Sequence, residues 1–275
     1  MERVKDTLGK LEVRPSKERG QNFIIAPEVL GAIVEFGKPS AADSIVEIGP
    51  GLGALTQQLA QFPNLTLIEI EPAFCAALSK KFPHVKIIES DVRQVDFGRI
   101  GSELVVFGNL PYSYSTDILF HLIDNAPHLS RAVVMLQREF AERVAAKPGS
   151  KAYGVLSVHA QLQASMKLGP IIPGTAFHPP TQVESRLLEL TFLKKPVVEV
   201  GDIQWFKKVV RASFSQRRRQ LHNSLKGAHL VDPDKVAEAL ATAGIDGMRR
   251  AETLTLEEFS KLSSALAQYK MTEPK

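Results

Sequence analysis

An asparagine, a proline and a tyrosine stand at the end of an apolar run, where they can do more than pack. In ELVVFGNLPYSYS (103–115), Leu104, Val105, Val106 and Phe107 read as a buried strand that runs directly into Asn109-Leu110-Pro111-Tyr112. Those groups suit an aromatic amine, a poor nucleophile because its lone pair is delocalised into the ring. If the Asn109 side-chain oxygen and the Leu110 backbone carbonyl both accept from the amine, they hold it in line and favour the pyramidal nitrogen that attack requires. No strong general base is then needed, because the proton leaves a nitrogen made cationic by the transfer. Pro111 would fix the turn, and Tyr112 would stack on the face of a base. In an arbitrary loop the same residues are turn chemistry and one packed aromatic. The amine reading therefore depends on their surroundings.

Upstream, IVEIGPGLGALTQQL puts Gly49, Gly51 and Gly53 between a strand pattern and a helix pattern. Glycines there let the backbone turn tightly and approach a ligand, with helix N–H groups aimed at it. No Gly-Lys-Ser/Thr follows, so a P-loop is excluded, while the looser dinucleotide pattern Gly-x-Gly-x-x-Ala is met and keeps NAD open. Three acids narrow the choice: Glu47 precedes the turn, Glu69 closes the second strand pattern, and Asp91 follows the third. A carboxylate at the second strand end can accept both ribose hydroxyls, and one at the third can accept an adenine amine. That spacing recurs in S-adenosylmethionine sites, which bind no pyrophosphate and tolerate acids. Glu71 reads as a solvated helix start.

These groups need a scaffold that brings strand ends together. β-rich runs at 44–49, 65–70, 85–90, 103–109, 131–137, 164–172 and 185–193 alternate with helical patterns at 54–62, 74–82, 115–124 and 138–146. Such alternation predicts an α/β fold: a mainly parallel sheet covered by helices, with its ligand crevice at the C-terminal strand ends. The closeness of the last two runs, across a Pro-rich loop, suggests an antiparallel strand at one edge. Residues 194–202 read as a linker. Beyond them the pattern is helical throughout: Phe206, Val209, Val210, Phe214, Leu221 and Leu225 mark one apolar face, PDKVAEALATAG a further helix, and Thr255-x-x-Glu258 the capping box of a last one. The expected division is a catalytic domain over 1–193 and a small all-helical domain over 194–275.

Apolar residues at 44% and charged residues at 23% are ordinary for a globular chain, and no apolar run approaches the length of a membrane span. The N-terminus carries neither a signal-peptide core nor an acid-poor transit pattern, so cytoplasm is the expected location. The single cysteine, Cys75, excludes a disulfide framework and reads as a packed side chain. No metal-ligand spacing is found among the histidines. The net charge of +4 is unevenly placed: no acid occurs between Asp202 and Asp232, where Lys207, Lys208, Arg211, Arg217, Arg218, Arg219 and Lys226 all fall. A solvated helix usually mixes signs, so this run predicts phosphate contact, with Lys207, Lys208 and Arg211 facing outward. Such contacts position an RNA without reading it.

Taken together, Gly20-Gln21-Asn22-Phe23-Ile24, VEIGPGLGALT (46–56), Glu69, Asp91, NLPYS (109–113), FHPPTQVES (177–185) and FSQRRRQLHNSL (214–225) resemble the small-subunit ribosomal RNA adenine dimethyltransferases of the KsgA/RsmA family. The resemblance spans nearly everything from Gly20 to the last helix. It implies a Rossmann-like S-adenosylmethionine-dependent methyltransferase fold with a mostly parallel seven-stranded sheet. It also implies transfer of two methyls to each of two adjacent adenines near the 3′ end of 16S rRNA, by a monomer acting on an assembling 30S subunit without metal or membrane. By the same resemblance, Asn22 and Ile24 close over the cofactor, Gly49 and Glu69 hold its amino-acid and ribose ends, and Asp91 holds its adenine. Asn109 lines both sites, and Phe177 stacks on the target base opposite Tyr112. Thr181 stands where the family usually has a further proline, and Glu184 where it often has Asp. Leu110, where large-subunit methylases commonly have Ile, favours the small subunit. A methylase of DNA or of a protein glutamine would usually show Asn/Asp-Pro-Pro-Tyr/Phe. The competing class, a non-catalytic assembly or transcription factor on this fold, would have lost cofactor residues that are intact here.

Overall fold

The computed structural model describes residues 4–11, 22–216 and 218–270, apart from the side chains at 5, 7 and 10. Nine strands occur among them: β1 (Phe23–Ile24), β2 (Ile45–Ile48), β3 (Leu65–Glu69), β4 (Lys86–Glu89), β5 (Leu104–Asn109), β6 (Leu129–Gln137), β7 (Ala164–Ile172), β8 (Phe177–His178) and β9 (Ser185–Phe192). The helices are α1 (Val4–Lys10), α2 (Pro27–Gly37), α3 (Thr56–Leu59), α4 (Pro72–Lys81), α5 (Ser115–Asp124), α6 (Arg138–Val144), α7 (Val155–Gln163), α8 (Ile203–Phe214), α9 (Leu221–Ala228), α10 (Val236–Ala243) and α11 (Leu256–Ala267). The chain forms two compact units, Met1–Ala141 with Ser165–Leu193, and Glu142–Ala164 with Lys194–Lys275.

In the first unit, seven strands form one sheet in the order β4-β3-β2-β5-β6-β9-β7. The pairs β4–β3, β3–β2, β2–β5 and β5–β6 are parallel. The strands follow the β-rich runs of the sequence because central parallel strands are covered on both faces and must be apolar nearly throughout. All four residues of β2 are buried, Glu47 included. Strand β9 pairs antiparallel with β6 through Met135↔Leu187 and lies between β6 and β7, so the antiparallel strand is interior and not at the edge. The chain order reverses between β2 and β5, and the crevice outside such a reversal is where α/β sheets bind ligands. A separate two-residue ribbon pairs β1 with β8, Ile24 opposite Phe177. Ribbons this short carry no periodicity to read.

The second unit has its own core. Val158 and Leu162 of α7 share a buried cluster with Phe206, Val209 and Val210 of α8 and with Phe259 and Leu262 of α11. Segment 142–164 therefore belongs with the C-terminal helices and not with the sheet unit where the boundary at 193/194 had put it. Its apolar face matches that cluster, and Gly149 N donates to Glu252 O at 2.7 Å. The Thr255/Glu258 capping box forms as read. The apolar face of 206–225 is split between two helices, because α8 ends at Phe214 and α9 begins at Leu221. No helix among the described residues is long and apolar enough to cross a membrane.

Candidate active site

The glycine turn leaves β2 through three residues of positive φ, Gly49 at 64°, Gly51 at 54° and Gly53 at 78°. Two of them need glycine for different reasons. A Cβ on Gly53 would lie 2.9 Å from Leu78 Cδ2 and 3.0 Å from a Phe82 ring carbon, so glycine lets α4 and its C-cap pack against the turn. A Cβ on Gly49 would meet nothing within 4 Å. Gly49 helps to line a cavity of about 220 Å³.

That cavity collects nearly every predicted site residue of the first unit: Asn22, Ile24, Gly49, Gly51, Glu69, Asp91, Asn109, Leu110, Pro111 and Tyr112. They meet because each lies at or just beyond a strand end. Glu69 is the last residue of β3 and Asn109 the last of β5, while Gly49 and Asp91 follow β2 and β4. Neighbouring strands are roughly 4.8 Å apart, so the row is continuous. Glu71 is not in the lining; it caps α4, and its N–H donates to Glu69 Oε1 at 2.9 Å.

Glu69 is 4% exposed and accepts from three backbone donors, Gly51 N at 3.0 Å on Oε2 and Ile70 N and Glu71 N at 2.9 Å on Oε1. Burial pushes its carboxyl upward, and these bonds oppose the push. Asp91 behaves oppositely: hydrogen bonds from Arg93 hold it below the usual carboxylate range. Glu47 is the most perturbed of the three. It is buried, Oε2 has no hydrogen-bond partner among the described residues, and desolvation raises its carboxyl to about 8; Thr56 opposes the shift and the nearby Glu69 charge adds to it.

A carboxyl whose folded pKa is raised contributes stability that is complete below its ordinary value of 4.5 and is lost as pH rises toward about 8. The ligand-free protein is therefore expected to lose on the order of a few kcal/mol between pH 5 and pH 8 through Glu47. Glu47→Gln should flatten that fall and melt about 5 °C or more above the wild type at pH 8. Thermal melts of both proteins across the range check it, and parallel curves would exclude an ionising Glu47.

The tetrapeptide folds as the end of β5 turning into a short 3₁₀ segment ahead of α5. Asn109 Nδ2 donates to Asn22 O at 2.8 Å, which fixes the amide and leaves Oδ1 as its acceptor end. Pro111 closes the turn by accepting from Ser115 Oγ at 2.9 Å and Tyr114 N at 3.1 Å. The Tyr112 hydroxyl is 2.6 Å from Ser185 Oγ at the start of β9, which pins the ring. The β1–β8 ribbon holds Asn22 and Ile24 across the same cavity, supported by Ile25 N donating to Ala176 O at 2.9 Å.

Other expectations meet a different geometry. Phe177 is 1% exposed, packs in the apolar core with Ile24 and Ile172, and does not line the cavity. Its pairing with Ile24 seats it beside the cavity lining and not in it. In the second unit Lys208, Arg211, Arg218 and Arg219 are exposed, whereas Lys207 is only 8% exposed and does not face outward. Lys207 stands three residues before Val210 and seven before Phe214, on the edge of the helix's apolar face. Gly20, Gln21 and Arg217 lie outside the described residues.

The lining also contains residues that the sequence reading does not select, among them Ile70, Val92, Arg93 and Tyr114. Ile70 carried a usable signal, as an isoleucine directly after a strand-end acid; it is 48% exposed in this structure.

An S-adenosylmethionine molecule can be tested against these residues. The open space at Gly49, the buried polar oxygen of Glu47 and the Glu69 and Asp91 carboxyls supply room and hydrogen-bonding groups for a ligand bearing hydroxyls and an amine. The residues present fit the group. A model of the family described as ribosomal RNA adenine dimethylase matches residues 14–268. The small-subunit rRNA methyltransferase A of Geobacter metallireducens is 40% identical over 264 residues, covering 92% of this chain and 96% of that protein. Its counterpart from Shouchella clausii is 43% identical, covering 91% and 89%. Among solved structures, a dimethyladenosine transferase from Plasmodium falciparum superposes with a TM-score of 0.78 at 24% identity, covering 90% of this chain and 98% of that one. A 23S rRNA methyltransferase, ErmE, superposes at 0.66 with 22% identity, covering 90% and 100%.

Proposed function

Because the chain belongs to the ribosomal RNA adenine dimethylase family, and is thus an S-adenosylmethionine-dependent enzyme acting on rRNA, we propose that its substrate is small-subunit rRNA within an assembling 30S subunit. There it dimethylates the exocyclic amines of two adjacent adenosines near the 3′ end, as a cytoplasmic monomer. The cofactor, when bound, supplies an electrophilic methyl on a sulfonium. Gly49 and Gly51 would accommodate its amino-acid end, Glu69 its ribose and Asp91 its adenine, with Asn22 and Ile24 against it.

The single observation that carries the reading is the anchored amide of Asn109 in the cavity that also holds Gly49, Glu69 and Asp91. With Nδ2 committed to Asn22 O, Oδ1 accepts one amine hydrogen of the target adenine and the Leu110 carbonyl the other. The Asn109 acceptor is held before the substrate arrives, so little reorganisation of that side chain is left for the reaction itself. Tyr112, fixed through Ser185, stacks on the base. Leu110 is buried and excludes water from that end. In the second unit, the domain assigned to RNA, Lys208, Arg211, Arg218 and Arg219 take phosphates, together with Arg217 in the same acid-free run.

The test is incubation with labelled S-adenosylmethionine and immature small subunits, followed by mapping of methylated adenines. Label is expected in two adjacent adenosines near the 3′ end, with incorporation falling steeply as salt rises. Label confined to large-subunit RNA or DNA, or no label at all, would overturn the proposal.

A further inference from the structure

Asp91 is read as the acceptor for the cofactor's adenine amine, yet both of its oxygens already accept from Arg93. Oδ1 accepts from Arg93 N at 2.9 Å and Arg93 Nε at 3.1 Å; Oδ2 accepts from Nε at 3.1 Å and Nη2 at 2.6 Å. These three N–H groups, with Nε–H shared between the oxygens, engage both oxygens and leave at most about one of the carboxylate's four lone-pair sites for an incoming amine. The Arg93 backbone N–H is fixed by the 3₁₀ turn after β4, so the side chain is the partner that can leave.

Arg93 has somewhere to go. Its guanidinium carbon is 4.6 Å from the Tyr114 ring centroid, and Nη1 is 3.5 Å from Asp117 Oδ2. Its side chain is 36% exposed, so a small rotation keeps it solvated and paired. Arg93, Asp91 and Tyr114 all line the cavity, whereas Asp117 does not, so moving toward Asp117 clears the lining.

We propose that Arg93 is a specificity-determining plug of the adenine subsite, occupying Asp91 until an amine-bearing purine displaces it toward Tyr114 and Asp117. Only a ligand that donates a hydrogen bond can replace the guanidinium on Asp91. A 6-oxo purine offers a carbonyl at that position and leaves the plug in place. The inference rests on the proposed role of Asp91, and its consequence is that part of the intrinsic affinity is spent on displacement, as for any ligand whose competent state is a minor one.

Calorimetric titration with S-adenosylhomocysteine and its 6-oxo analogue, which needs no turnover, tests this. Arg93→Ala and Arg93→Met are expected to bind S-adenosylhomocysteine about tenfold more tightly than the wild type. Both variants should discriminate against the analogue less than the wild type does, with the remaining preference supplied by Asp91. Unchanged or weaker binding in both variants, with normal melting curves, would overturn the plug and make Arg93 a support for the ring. Asp91→Asn separates the layers: weakened binding in that variant upholds the adenine role, and unchanged binding removes that role and the plug with it.

Discussion

Replacing Asn109 by alanine lowers the rate of methyl transfer by about 10²–10⁴-fold while S-adenosylhomocysteine affinity changes by less than about tenfold. The asymmetry follows from where the side chain is tied. Nδ2 is held by Asn22 O at 2.8 Å, so the amide cannot rotate to present its donor to a substrate amine. Oδ1 can then strengthen its bond as the nitrogen becomes pyramidal and cationic, which is stabilisation made chiefly in the transition state. Loss of the bond to Asn22 loosens the segment across the cavity and accounts for the smaller change in affinity. Single-turnover transfer to immature subunits and calorimetry of the same variant give the two numbers. Wild-type transfer by Asn109→Ala would remove the amine-positioning role.

Much of this site is legible in the sequence, for a specific reason. The functional groups follow strands, and parallel strands betray themselves as apolar runs, so Glu69, Asp91 and Asn109 can be placed on one edge before any coordinates are seen. Helix α5 is read to its boundaries, because STDILFHLID has a clear period and punctuation on both sides. What is not legible depends on contacts distant in sequence. The Asn22–Asn109 bond spans 87 positions. The burial of Phe177 follows from its pairing with Ile24, and the placement of 142–164 from a core whose other half lies beyond the linker. The hold of Arg93 on Asp91 is local, but its sequence signal is only a cation two residues after an acid, which is common on any surface. Lys207 shows the limit of charge counting: a lysine in an acid-free run can still lie along an apolar face with its stem buried.

Glu69 provides the complementary case, because it binds structure and ligand with the same two oxygens. Glu69→Ala leaves the N–H groups of Gly51, Ile70 and Glu71 without their acceptor, the first in a buried setting and the other two in part-buried ones, which costs about 2 kcal/mol of stability after allowing for the relief of burying a carboxylate. It also removes the proposed acceptor for a ribose hydroxyl, for which one lone-pair site remains on Oε2. One charge-assisted bond at about 1.5–3 kcal/mol corresponds to a loss of roughly 10- to 100-fold in cofactor affinity. Glu69→Gln keeps one carbonyl oxygen for Ile70 and Glu71 but turns a donor toward Gly51, so it should melt near the wild type and bind about tenfold more weakly than it. At saturating cofactor the transfer rate of both variants is expected to recover most of its value, since ribose contacts are made equally in the ground and transition states. Asn109→Ala does the reverse and cannot be rescued by cofactor concentration. Calorimetry with S-adenosylhomocysteine, melts without ligand and transfer rates against cofactor concentration separate the two residues. A Glu69→Ala protein that is destabilised yet binds normally would confine Glu69 to holding the glycine turn.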